Sequence, residues 1–178
     1  MLLSVCLPPA LLAQEDDVFA FIPDGGRTLL GKLIDGGKVD SAEVVATRRS
    51  EDEWLGFLRG LSGSGLDDTQ MATLAAYLAS SMPAAEHAGK TIETAGRQLP
   101  RDGRDLTLEY CQSCHIITVV ITQDRSREAW LGTMNKPSHV EIDTTQAERK
   151  EIADYLILNG GISIEDVPEE LRAGGATY

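Results

Sequence analysis

An all-α fold in two tandem halves is the architecture this sequence predicts, and three observations carry it. Apolar residues recur at helical spacing behind capping signals, as where Thr145-x-x-Glu148 opens a run that turns Ile152, Ala153, Tyr155 and Leu156 inward. One β-branched run, Ile116 to Thr122, has no second run to pair with, so it predicts extended backbone and not a sheet. The halves also repeat one another. Arg49-Ser50-x-x-x-Trp54-Leu55-Gly56 returns as Arg125-Ser126-x-x-x-Trp130-Leu131-Gly132 at an offset of 76. Gly26-Arg27-x-Leu29 returns as Gly103-Arg104-x-Leu106 at 77, and Ala75-x-Tyr77-Leu78 as Ala153-x-Tyr155-Leu156 at 78. Three matches in the same order point to an internal duplication.

Composition sets the bounds. With 178 residues, 42% of them hydrophobic, the chain can build one moderate core or two small ones. Sixteen Lys and Arg against 28 Asp and Glu leave a net charge of −12, which argues against binding to nucleic acid or anionic lipid. No apolar run approaches the roughly 20 residues of a membrane-spanning helix.

In chain order, Met1 to Ala13 is apolar and uncharged and meets the acidic Gln14-Glu15-Asp16-Asp17 abruptly. It reads as a secretory signal peptide over 1–13, truncated at its start because a basic leading segment is absent. An apolar strand or helix of the mature fold is the alternative, and Cys6 only loosely resembles a lipid-attachment cysteine. Residues 18–82 form the first half, 83–97 a linker marked by Pro83, Gly89 and Gly96, and 98–160 the second half. There, one helix starts at Gly103 with Leu106 and Tyr110 on one face. A second is capped by Ser126 and stops before Pro137, with Trp130 and Met134 sharing a face, and a third ends at Gly160-Gly161. The tail, 161–178, is acidic and carries Ile162, Ile164 and Val167, which can wrap their own half or reach a partner subunit.

The chemistry concentrates in Cys111-Gln112-Ser113-Cys114-His115. A Cys-x-x-Cys-His run sets two thiols to form thioethers with the vinyl groups of a haem and carries the adjacent imidazole beneath the iron as an axial ligand. Three other readings stand beside it. Structural zinc needs four donors, and only His87 and His139 could join the motif, at spacings that match no familiar module. A thioredoxin-like pair belongs after a strand in an alternating βαβ pattern, which this chain lacks. A plain disulfide leaves His115 unexplained.

A Gly-x-x-Leu helix leading into Cys-x-x-Cys-His, closed by a helix ending in Tyr155-Leu156, resembles a class I c-type cytochrome over about residues 97–160. The resemblance implies a helical fold whose first and last helices cross. It also implies one covalent haem c in a cleft, attached at Cys111 and Cys114, ligated by His115, with Tyr110 and Trp130 beside it. Met134, the only methionine after His115, is the expected sixth ligand, since a thioether suits reversible one-electron transfer. Met and Trp at helical spacing are otherwise plain core, and His139 is the rival, giving a bis-histidine iron of lower potential. The run from Ile116 to Thr122 is expected to shield the porphyrin edge from water.

At the repeat offsets Cys111, Cys114, His115 and Met134 correspond to Ile34, Gly37, Lys38 and Leu58. The first half therefore reads as a degenerate, haem-free copy, its cleft expected to be filled by Phe19, Phe21, Phe57 and Leu58. A helical bundle that shares only helix ends with the second half is the alternative. The family implies an electron-transfer protein and not an enzyme, exported to the periplasm. Its expected partners are a dehydrogenase that donates electrons and a downstream cytochrome or oxidase that accepts them, with no nucleic acid and no membrane span. A peroxidase-like haem enzyme with an open or displaceable sixth position, for which His139 is the candidate acid–base group, and a haem-based sensor or assembly module are the alternatives.

Overall fold

Helix starts in this chain are set by side chains that accept the unpaired amides of the first turn. Capping boxes, in which the residue before the helix and the one three positions on satisfy each other's backbone N–H, open four helices: α3 (Glu51–Gly60) at Ser50, α4 (Asp68–Ser81) at Asp67, α5 (Gly103–Cys111) at Asp102 and α9 (Gln146–Asn159) at Thr145. Single caps from Asp40 and Ser126 open α2 (Ser41–Ala46) and α7 (Arg127–Met134), each worth about 1 kcal/mol. The remaining helices are α1 (Gly26–Asp35), α6 (Thr118–Ile121) and α8 (Pro137–Val140). This computed structural model describes residues 18–87, 91–94 and 97–172. The expected signal peptide with Cys6, the linker's Gly89 and Gly96, and the end of the tail lie outside the described residues.

The chain is mainly helical; among the described residues the one sheet is a two-stranded antiparallel pair of β1 (Thr91–Thr94) and β2 (Arg97–Pro100), in which Thr91 faces Pro100. The stretch expected as a linker thus carries a 3-10 turn over Ala84–His87 and the first of these strands. One expectation is corrected at Ile116 to Thr122. Thr118–Ile121 is helical, and Ile117, Val120 and Ile121 are buried. Strand propensity is weak, and with no neighbouring strand the backbone satisfies itself locally, Ile121 N–H donating to Ile117 O at 3.1 Å. Among the described residues no helix is long and apolar enough to cross a membrane.

The repeat in the sequence is a repeat of elements. Shifted by 77, the starts of α1 and α2 fall on those of α5 and α6; shifted by 76, the start of α3 falls on that of α7; shifted by 78, α4 falls on α9 end to end. Each half has its own core. Leu29, Leu33, Trp54, Leu58, Leu74 and Leu78 build the first, and Leu106, Ile117, Trp130, Ile152, Tyr155 and Leu156 the second.

The segments that precede α1 and α5 are exchanged between these cores. Ile22 is buried in the second core, and its counterpart 77 positions on, Leu99, is buried in the first. Tyr77 of α4 donates to Pro100 O at 2.9 Å, and its counterpart Tyr155 of α9 donates to Pro23 O at 2.6 Å. Burial raises the pKa of both phenols, which keeps them neutral donors. The exchange overturns part of the expectation for the first cleft. Phe57 and Leu58 do belong to the first core, but Phe19 and Phe21 pack on the second, because the arm that carries them crosses over and is held there by Arg104 Nη2 on Phe19 O at 3.0 Å.

Within each half the first and last helices meet at a glycine. A Cβ on Gly26 would lie 2.2 Å from Tyr77 Cβ, and one on Gly103 would lie 2.4 Å from both Tyr155 Cβ and Glu151 O. Neither obstacle is the movable end of a side chain, so Gly103→Ala must push α5 away from α9. The expected cost is about 1–3 kcal/mol, or roughly 2–4 °C of melting temperature per kcal/mol at this length. Gly132→Ala on α7, where a Cβ meets nothing within 4 Å, is the matched control and is expected to be neutral or stabilising. Equal thermal melts for the two variants would refute the close approach.

The tail joins the second half. Ile162 packs on that core, Val167 is buried, and Thr118 Oγ1 donates to Leu171 O at 2.7 Å, while Ile164 stays exposed.

Candidate functional site

The Cys-x-x-Cys-His motif closes α5. Asp102 starts that helix, Leu106 anchors it in the core, and its last turn ends at Cys111. Beyond it the chain turns back on itself: His115 N–H donates to Cys111 O at 3.0 Å and Ser113 Oγ to Tyr110 O at 2.7 Å. The tight turn brings Cys111, Cys114 and His115 to the wall of one cleft of about 270 Å³. Val119 and Val120 of α6, Trp130 and Met134 of α7, His139 of α8, and Ile152 and Leu156 of α9 also line it, with Tyr110 beside Cys111. Every residue singled out in the sequence as a candidate haem ligand or haem contact therefore shares this cleft, whereas His87, the other histidine weighed for zinc, does not line it.

Cys111 is half-buried, and burial pushes its thiol up to about 11, whereas Cys114 and His115 are exposed. Thiol redox pairs work through a lowered thiol pKa, so the shift at Cys111 runs against the thioredoxin-like reading. Among the described residues no three His, Cys, Asp or Glu side chains converge as a metal-holding group. The His115 and His139 rings are 6.2 Å apart between centres, with 27° between their planes. Trp130 is buried, its Nε1 has no hydrogen-bond partner, and the Arg125 guanidinium lies 5.2 Å from the centre of its ring. An orphaned indole N–H beside an apolar cleft is a donor awaiting an acceptor.

Arg149 was not visible as a site residue in the sequence, where a charge in α9 reads as solvated surface. It is buried and braces both ends of the loop that carries His139: it donates to Met134 O at 3.0 Å, Asn135 Oδ1 at 2.8 Å and Thr144 Oγ1 at 2.9 Å. Arg125 likewise gave no signal of its own beyond its place in the repeat.

No family model, curated protein or solved structure matches this chain. The reading of the cleft therefore rests on its residues. Two thiols, an imidazole, a thioether and a second imidazole on one apolar-walled cleft can hold a flat, apolar, metal-bearing cofactor.

The first half has the same frame with other side chains. Trp54 is buried with its Nε1 unpartnered, and the Arg49 guanidinium lies 4.6 Å from its ring centre, as in the second half. At the positions that correspond to Cys111, Cys114, His115 and Met134, Ile34 packs on the core, Gly37 turns the chain at φ 62°, Lys38 is exposed and Leu58 is buried. A second cleft, also about 270 Å³, lies between the halves beside Tyr77, Asp102 and Tyr155, with neither thiol nor imidazole among its lining residues.

Proposed function

We propose that residues 98–160 form a haem-binding domain of the class I c-type cytochrome kind, and that the protein carries single electrons outside the cytoplasm. The observation that carries this is the sharing of one apolar cleft by Cys111, Cys114, His115 and both candidate sixth ligands. The residues fit one covalent haem c: the two thiols supply thioether bonds, His115 supplies the proximal nitrogen, and Trp130 Nε1 is free to donate to a carboxylate at the cleft. One-electron exchange between ferric and ferrous iron is the chemistry such a group supplies when bound. Val119, Val120, Ile152 and Leu156 keep water from the cleft, which favours the less charged, reduced state. No side chain has to act as acid, base or nucleophile, so the protein works as a carrier or as a subunit of an oxidoreductase complex.

The first half, with none of the attachment residues, serves as a degenerate copy that braces the second through the exchanged arms. A net charge of −12 favours a partner with a basic docking face and makes the association weaken as salt rises. The electron donor is a periplasmic dehydrogenase and the acceptor a further cytochrome or an oxidase. Export follows from covalent haem attachment and from the leader read over residues 1–13.

The test is a pyridine haemochrome spectrum with haem stoichiometry, on protein matured in a host with c-type attachment machinery. One covalent haem per chain is expected. Absence of covalent haem would remove the proposal and return the motif to thiol chemistry.

A further inference from the structure

We infer that His139, and not Met134, supplies the sixth ligand to the iron of the haem proposed above, an inference that rests on that reading of the cleft. The geometry of the two imidazoles points to it. An imidazole nitrogen binds a first-row metal at about 2.0 Å, so two imidazoles sharing one ion hold their ring centres on the order of 6 Å apart. The His115 and His139 ring centres are 6.2 Å apart, with ring planes 27° from parallel.

Ser138 Oγ lies 3.1 Å from His139 Nδ1, a contact that engages that nitrogen and leaves Nε2 for a metal. The segment is also held in place: Arg149, itself buried, ties Met134 O and Asn135 at one end of the His139 loop to Thr144 at the other. Met134 has a competing use, because its side chain packs on the second core with Leu131 and Tyr110. Taking it as ligand would pull that side chain off the core.

The chemical consequence is a lower potential. Imidazole in place of a thioether favours ferric iron, so the donor must be a stronger reductant than one that serves a His/Met cytochrome.

The experiment uses the full chain with its haem attached, comparing wild type with Met134→Leu and His139→Ala by absorption, electron paramagnetic resonance and potentiometry. The wild type is expected to be low-spin in the ferric state without the weak far-red band of thioether ligation. Met134→Leu is expected to keep the ferric iron low-spin, still without the far-red band. His139→Ala is expected to become high-spin, or to gain the far-red band as Met134 takes the vacant position, with a raised potential; added imidazole restores the low-spin spectrum, and far-ultraviolet circular dichroism equal to the wild type's shows that the variant is folded. A far-red band in the wild type that Met134→Leu abolishes and His139→Ala spares would overturn the inference while leaving the haem reading intact. A wild-type chain with no covalent haem would overturn both.

Discussion

Protein carrying both Cys111→Ser and Cys114→Ser is expected to leave a c-type maturation host with no covalently attached haem, a complete loss and not a graded one. The two thiols sit at the end of α5 and in the turn that follows, on the wall of one cleft, and serine forms no thioether under these conditions. Each single variant keeps one attachment point and is expected to retain a fraction of the haem through it. Denaturing gels stained for haem peroxidase activity read the result directly. Haem that survives denaturation in the double variant would mean attachment elsewhere in the chain. The double variant should also melt at lower temperature than the loaded wild type, because a cofactor bound only by the native state stabilises it by mass action. Its circular dichroism in the far ultraviolet should stay helical, since Leu106, Ile152 and Leu156 still anchor the core of that half.

The largest expected loss of stability is at Asp102. Its carboxylate caps two helices at once: Oδ1 accepts Asp105 N–H of its own α5 at 2.9 Å, and Oδ2 accepts Arg27 N–H of α1 in the other half at 2.8 Å. The residue at the α1 cap position is Gly25, and a Cβ there would lie 2.2 Å from Asp102 Oδ2, so Gly25 leaves its place to the visiting carboxylate. Asp102→Ala uncaps both helices and strands two amides inside the interface, at an expected cost of about 2–4 kcal/mol near pH 5.

The loss has a pH signature. Burial, with the neighbouring charge of Asp105, pushes the Asp102 carboxyl up to about 6 against the pull of Arg27 and the two amides. The native state therefore holds a proton that the unfolded chain, with an ordinary carboxyl near 3.8, has given up between these values. Its stabilising contribution is full below about pH 4 and fades as pH rises through about 6. The alanine variant lacks it, so the gap between wild type and variant is expected to narrow from pH 5 to pH 7. Urea melts across that range measure it, and a gap that widens with pH would show that the native fold prefers the carboxylate.

The parts of this molecule that could be read in advance are those governed by local rules. Ser126 and Thr145 mark where α7 and α9 begin, Gly160 marks where α9 stops, and the inward face of α9 follows from its spacing. The Cys-x-x-Cys-His motif led to the cleft because neighbours in sequence are also neighbours around one turn. What escaped depends on contacts between distant residues. The β-branched residues at 118–121 became helical for want of a strand beside them, Phe19 and Phe21 crossed to the other half, and Arg149 turned inward because a loop 15 residues before it folds over it. The second helix that Asp102 caps begins with an amide 75 residues away in the sequence.

The exchange of Ile22 and Leu99 has a further meaning for how the chain holds together. Each half supplies the plug for the other's socket, and the two tyrosine hydroxyls latch the plugs in place. A half cut from this protein would carry a vacant socket and an unused plug of matching shape, and the nearest thing to complete it would be another copy of itself.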